Sequence, residues 1–200
     1  WLLRDVRYDG GEKTRLEANT GCGYVGYDVA PWAVVFGTIG GTAAQSTESD
    51  ESGDARVKWS AGIKLNLWRL DIEDPAFLGG RCTLRAQGEF ARYESGNLDP
   101  ASFDWTEWYA SLTLNYELFA RKRTDYDRVP YSLMLYGGPA LSRIDGTRES
   151  AGGSRDFEGD NVVGLCAGTD LFISHNLSAG AQLQHYFDEP TISASLIYHF

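Results

Sequence analysis

Apolar and polar residues alternate along much of this chain, the signature of strands that bury one face. Val57, Trp59, Ala61, Ile63, Leu65 and Leu67 share one side of an extended segment; Lys58, Ser60, Gly62, Lys64 and Asn66 share the other. Cys82, Leu84, Ala86, Gly88 and Phe90 oppose Arg81, Thr83, Arg85, Gln87 and Glu89. Trp108, Ala110, Leu112, Leu114, Tyr116 and Leu118 oppose Tyr109, Ser111, Thr113, Asn115 and Glu117. Leu177, Ala179, Ala181 and Leu183 alternate with Ser178, Gly180, Gln182 and Gln184. At the end, Ile192, Ala194, Leu196, Tyr198 and Phe200 oppose Ser193, Ser195 and His199.

Weaker strands are predicted over 14–28, 32–45, 131–144 and 157–172, and a poor one over Leu2–Tyr8 before Asp9-Gly10-Gly11. No helical period is sustained, and no linker or low-complexity stretch divides residues 1–200, which predicts a single domain. Counting back from the C-terminus puts one set of loops at Asp9–Lys13, about 46–54, about 95–104, about 145–156 and Glu189-Pro190. The opposite turns fall at 28–31, about 69–80, about 119–130 and Ser174–Asn176. The count is ten strands, with eight as the alternative.

The choice lies between a soluble sandwich or lipocalin-like barrel and a membrane barrel. A soluble barrel must hold Trp59, Phe90, Trp108, Tyr116, Tyr198, Phe200 and many aliphatics inside. A narrow interior has no room for them. The expectation is therefore an all-β, closed antiparallel transmembrane β-barrel, with lipid against Val57, Ala61, Ile63, Leu65, Leu84, Leu112, Leu114, Leu183 and Leu196. Inside, Lys58, Lys64, Arg81, Arg85, Glu89 and Glu117 form a charge network of mixed sign.

Composition agrees. Mean hydropathy is -0.33, and no run of 18 apolar residues exists for a membrane helix. Aromatics reach 13%, as interfacial girdles need, and the net charge of -10 argues against nucleic acid as a partner. Cys22, Cys82 and Cys166 have no metal-ligand spacing and read as small apolar strand residues. The start at Trp1 without Met suggests a mature or trimmed chain.

The second half resembles the small bacterial outer-membrane barrel family that includes OmpA-like and opacity-protein-like domains. The resembling stretches are Tyr131–Ser142, Val163–Leu171, Asn176–Leu183 and the terminal strand. The resemblance implies an outer-membrane location, lipid and lipopolysaccharide around the protein, and a terminal strand (Leu196, Tyr198, Phe200) read by the barrel-assembly machinery. It covers about the last seventy residues, and its motifs specify architecture more than function. Family members include anchors, adhesins, host-factor binders, narrow pores and a few lipid A enzymes.

Little in the sequence carries chemistry. His185 is the one histidine near an outer rim, but Phe187 stands where a deacylase of the PagL type has its serine. An omptin-type acidic pair has only Asp188 and Glu189, and no His or Cys grouping suits a metal. The acidic stretch Ser46–Asp54 and the basic run Arg121–Arg128 read as solvated segments that are open to a partner. The expectation is a non-enzymatic protein without cofactor or metal, a scaffold or surface protein whose loops or inner turns meet a protein partner. The alternatives are a narrow pore and an outer-leaflet lipid A-modifying enzyme.

Overall fold

The computed structural model describes residues 2–46, 54–72, 80–95, 101–119, 132–150, 153–174, 177–187 and 190–198. Nearly all of these lie in eleven strands. They are β1 (Leu2–Tyr8), β2 (Lys13–Ala30), β3 (Ala33–Ser46), β4 (Ala55–Ile72), β5 (Gly80–Ser95) and β6 (Ala101–Phe119). Then come β7 (Ser132–Ser150), β8 (Gly153–Gly159), β9 (Val163–Phe172), β10 (Leu177–His185) and β11 (Pro190–Tyr198). All pairings are antiparallel, and the sheet runs β11-β10-β9-β7-β6-β5-β4-β3-β2-β1-β8. Because β8 also pairs with β7, strands β1 to β8 close a ring of eight.

The ten-strand expectation becomes eleven because the strand expected over 157–172 is two. Its first part, β8, pairs with β1 and with the end of β7; its second part, β9, pairs with β10 and with the start of β7. The break at Asp160 has visible causes. The Asp160 N–H donates to the Asp5 carbonyl over 3.1 Å, and its carboxylate takes Lys13 Nζ at 2.6 Å and the Arg7 guanidinium. These contacts hold β8 on the first hairpin while β9 continues down the sheet. Among the described residues, strand pairing closes the wall in its upper half, the end that carries the β1–β2 turn. Below, β2 to β7 and β9 to β11 form an arc of nine strands.

The loop expected over 145–156 is largely strand, since 145–150 belong to β7 and 153–156 to β8, and residues 101–104 lie in β6. At the β1–β2 turn, Gly10 (φ 115°) and Gly11 (φ 84°) take a backbone that other residues avoid. The alternation of Val57–Leu67 ends where β4 bulges against β5, between Asn66 and Trp68.

The two halves of the wall have opposite polarity on the same strands. In the upper half the inner face is apolar: Val6, Tyr8, Leu16, Phe103, Trp105, Ile144 and Phe157 pack as one core. Tyr93 and Trp105 stack at 4.8 Å, and Phe103 meets Phe157 edge-on at 6.2 Å. The outer face there is charged, with Arg92–Asp104 at 2.8 Å, Arg143–Asp145 at 2.9 Å and Arg155–Glu12 at 3.0 Å. In the lower half, Ser60, Thr113, Asn115 and Ser132 are buried on the inner face, while Ile39, Trp108, Leu114, Leu165 and Leu196 stand exposed outside. Within β6 the change falls between Trp105, which is 1% exposed, and Trp108, which is 61% exposed. Trp59, Phe90 and Trp108 make a continuous aromatic band at this level, with ring centroids 5.6 and 4.8 Å apart.

The Asp160 anchor gives a pH prediction. Hydrogen bonding by Lys13, with the Arg7 charge beside it, holds the Asp160 carboxyl below the usual carboxylate range. Its contribution to stability is therefore complete above the unfolded value of about 3.9, and it is lost as pH falls through the depressed folded value. The melting temperature of Asp160→Asn should lie below that of the unaltered chain near neutral pH, and the gap should close in acid. A gap independent of pH would show that charge is not what anchors the break.

Candidate functional site

Many polar side chains converge in the inner space of the lower half. Strands β2 to β7, β9 and β10 each send alternate residues into it. A cavity of about 600 Å³ near the lower end is lined by Tyr24, Asp28, Lys64, Asn66, Arg85, Glu117, Asp170 and Ser178, among others. Above it, a second cavity of about 200 Å³ is lined by Thr20, Cys22, Lys58, Gln87, Glu89, Tyr93, Glu107 and Gln182, among others. The apolar core of the ring lies over both.

The six residues expected to form a charge network do share this inner space, but they are satisfied mostly by neutral partners. Lys58 is buried, donates to Thr38 Oγ1 at 2.9 Å and lies 5.4 Å from the Tyr93 ring centroid. Thr38 and Ser60 hydroxyls are in turn 2.6 Å apart. Lys64 Nζ sits 5.1 Å from the ring centroids of both Tyr24 and Phe36, which stack on each other. Arg85 Nε donates to Asn66 Oδ1 at 3.1 Å. Arg81 reaches Glu117 at 3.9 Å but holds Asp71 more closely, at 2.7 Å. Glu117 accepts from Ser132 Oγ at 2.8 Å, and Glu89 lines the upper cavity. Among the described residues, Arg81–Glu117 is the only ion pair within this set of six. Aromatic faces and side-chain amides take the place of the expected carboxylates, as suits cations that leave bulk water.

The sequence reading missed a second buried polar group, at the junction of the two halves. The guanidinium of Arg4 is 1% exposed and lies 3.5 Å over the Tyr186 ring. Its Nη2 reaches the carbonyls of Ser142 at 3.4 Å and Asn161 at 3.5 Å. Ser142 Oγ donates to Glu107 at 2.5 Å, and Tyr93 OH donates to the same carboxylate at 3.1 Å. Arg4 and Glu107 are thus joined through one serine. Parity could have found Glu107, which shares the inner phase of Tyr109, Thr113 and Glu117. Asp170, also missed, shares the phase of Cys166 on β9.

Other candidates fall apart. His185 is exposed, with its ring 6.0 Å from that of Phe187, a residue in the left-handed region at φ 64°. Cys22, Cys82 and Cys166 are free, and Cys166 is buried beside Tyr109 and Ala140. Among the described residues no group of His, Cys, Asp or Glu suits a metal ion. Leu196 is 72% exposed on the outer face. The backbone of Tyr198 belongs to β11, and Phe200 lies outside the described residues. Residues 47–53 of the acidic stretch and the basic run 121–128 also lie outside them. No family model, curated protein or solved structure matches the chain.

Proposed function

We propose that this chain is a non-enzymatic β-barrel of the bacterial outer membrane, a scaffold or surface protein whose upper half meets a partner. The reversal of polarity along single strands carries this reading. In water, the outer face of the lower half would expose Ile39, Trp59, Trp108, Leu114, Leu165 and Leu196 together, a patch no soluble monomer tolerates. Lipid and lipopolysaccharide remove that penalty. From Trp108 to Leu118 the outer face of β6 is apolar over ten steps of strand. At about 3.3 Å per step and a tilt near 40°, this is a band of about 25 Å, the height such barrels present to lipid. The charged upper half then projects beyond the membrane as a rigid, water-facing cap. Insertion by the barrel-assembly machinery and recognition of Leu196, Tyr198 and Phe200 belong to the same proposal.

A narrow pore is the weaker reading. The packed aromatic layer around Trp105 blocks the axis, which leaves the lower lumen with one end. The lipid A enzyme reading is weaker too, because this chain has Phe187 and not a serine two residues after His185. The test is behaviour in detergent. The folded protein should need detergent to stay monodisperse, and it should migrate faster on SDS gels before boiling than after. A stable, monodisperse preparation free of detergent would overturn the proposal.

A further inference from the structure

The wall of the lower half has a gap of defined shape. β2 pairs with β3 along its length, but β1 covers its other edge only as far as Leu2↔Ala18. From Asn19 to Ala30 that edge has no strand beside it among the described residues. β11 is the opposite margin, since among the described residues β10 is its one ladder partner. Residues of both margins, Val25 and Tyr27 from β2 and Ile197 from β11, line the lower cavity. Cys22 is exposed although its side chain has the inner phase.

The two margins cannot simply zip together in the pattern of the rest. Nine strands lie from β2 to β11, every neighbouring pair antiparallel, so β2 and β11 point the same way. Joining them directly would make the one parallel pair in the sheet. β1 runs opposite to both, and its first residue, Leu2, already lines the upper cavity together with Thr191 and Ile192 of β11. A line drawn back through β1 enters the gap.

We propose that the open edge of β2 is a strand-acceptor site, filled by an antiparallel strand of about ten residues that continues β1 and is supplied by polypeptide preceding Trp1. Such a strand would pair with Asn19–Ala30 on one side and β11 on the other. It would bring the lower half to ten strands, an even number, and satisfy two rows of backbone groups that an apolar surrounding leaves costly. Its side chains must alternate: apolar outward, level with Val25 and Leu196, and small or polar inward, over Cys22 and the cavity. The pairing and strand direction do not depend on the membrane reading; the apolar outward face and the cost of the open edges rest on it.

Hydrogen exchange tests it on two forms of the protein in the same detergent. One begins at Trp1; the other keeps the residues encoded just before it. In the longer form, alternate amides between Asn19 and Ala30 should exchange at least tenfold more slowly, with the protein monomeric. Alkylation of Cys22 by a polar maleimide, followed on the peptide that carries it, should slow similarly. Unchanged exchange in the longer form would overturn the proposal. Protection already present in the form beginning at Trp1 would overturn it too, as a dimer if the edge takes a second copy, or as a monomer if β2 and β11 pair directly.

Discussion

Leu112→Arg should lower the stability of the protein refolded into lipid bilayers by about 2–4 kcal/mol, the cost of a cation near the bilayer midplane. Leu112 is exposed on the outer face of β6, roughly midway between the Trp108 band and the lower end of the strand. Nothing in the fold itself resists a long side chain there, so in a soluble protein the same change would fall within about 0.5 kcal/mol. The comparison site is Glu149→Arg, on the charged upper half of β7, where little change is expected. An inward position is the wrong control, because Ser60 and Thr113 are buried and an arginine there would fail for lack of space. Urea unfolding from bilayers of fixed thickness gives the numbers. Equal costs at Leu112 and Glu149 would remove the distinction between the two halves and with it the proposed membrane belt.

The lower half was legible in the sequence because outward-facing and inward-facing positions differ in polarity along its strands. Strands β4, β5, β6 and β10 carry the predicted faces, and β2 and β3 meet at the turn expected over 28–31. The upper half was not, because its pattern is the same alternation moved by one residue. On β6, Phe103 and Trp105 point inward, then Trp108 and Ala110 point outward, with Thr106 and Glu107 between. A reader following apolar positions sees one strand begin at Trp108 and discards what precedes it. The same slip hides the ends of β5 and β7, where Arg92 and Arg143 begin the charged outer face. Two further features needed three dimensions. The break at Asp160 depends on Lys13 and Arg7, far away in the chain, and the gap beside β2 depends on which strands become neighbours. Among the described residues, one direct ion pair joins the six charges of the expected network, and the reason is physical. The direct contacts of Lys58, Lys64 and Arg85 are a hydroxyl, aromatic rings and an amide, and sequence distance gives no hint of them.

The junction between the halves should be the most sensitive point in the fold. Glu107→Ala removes the acceptor of both Ser142 Oγ and Tyr93 OH and leaves the Arg4 charge in the same buried layer without an anion linked to it. Breaking one side of such an arrangement typically costs about 3–5 kcal/mol, since the remaining charge stays out of water. Arg4→Ala should cost a similar amount, because it also empties the space over the Tyr186 ring. Arg4→Met combined with Glu107→Leu should recover much of the loss. Apolar side chains of similar length would extend the Trp105 core downward by one layer, and no charge would remain to be satisfied. Unfolding free energies of the two single variants and the double variant decide the matter. Losses below about 1 kcal/mol in the singles, or strict additivity in the double, would mean that Arg4 and Glu107 are held independently. A double variant more stable than either single would identify the junction as a coupled polar layer, the seam at which an ordinary apolar core gives way to a polar lumen.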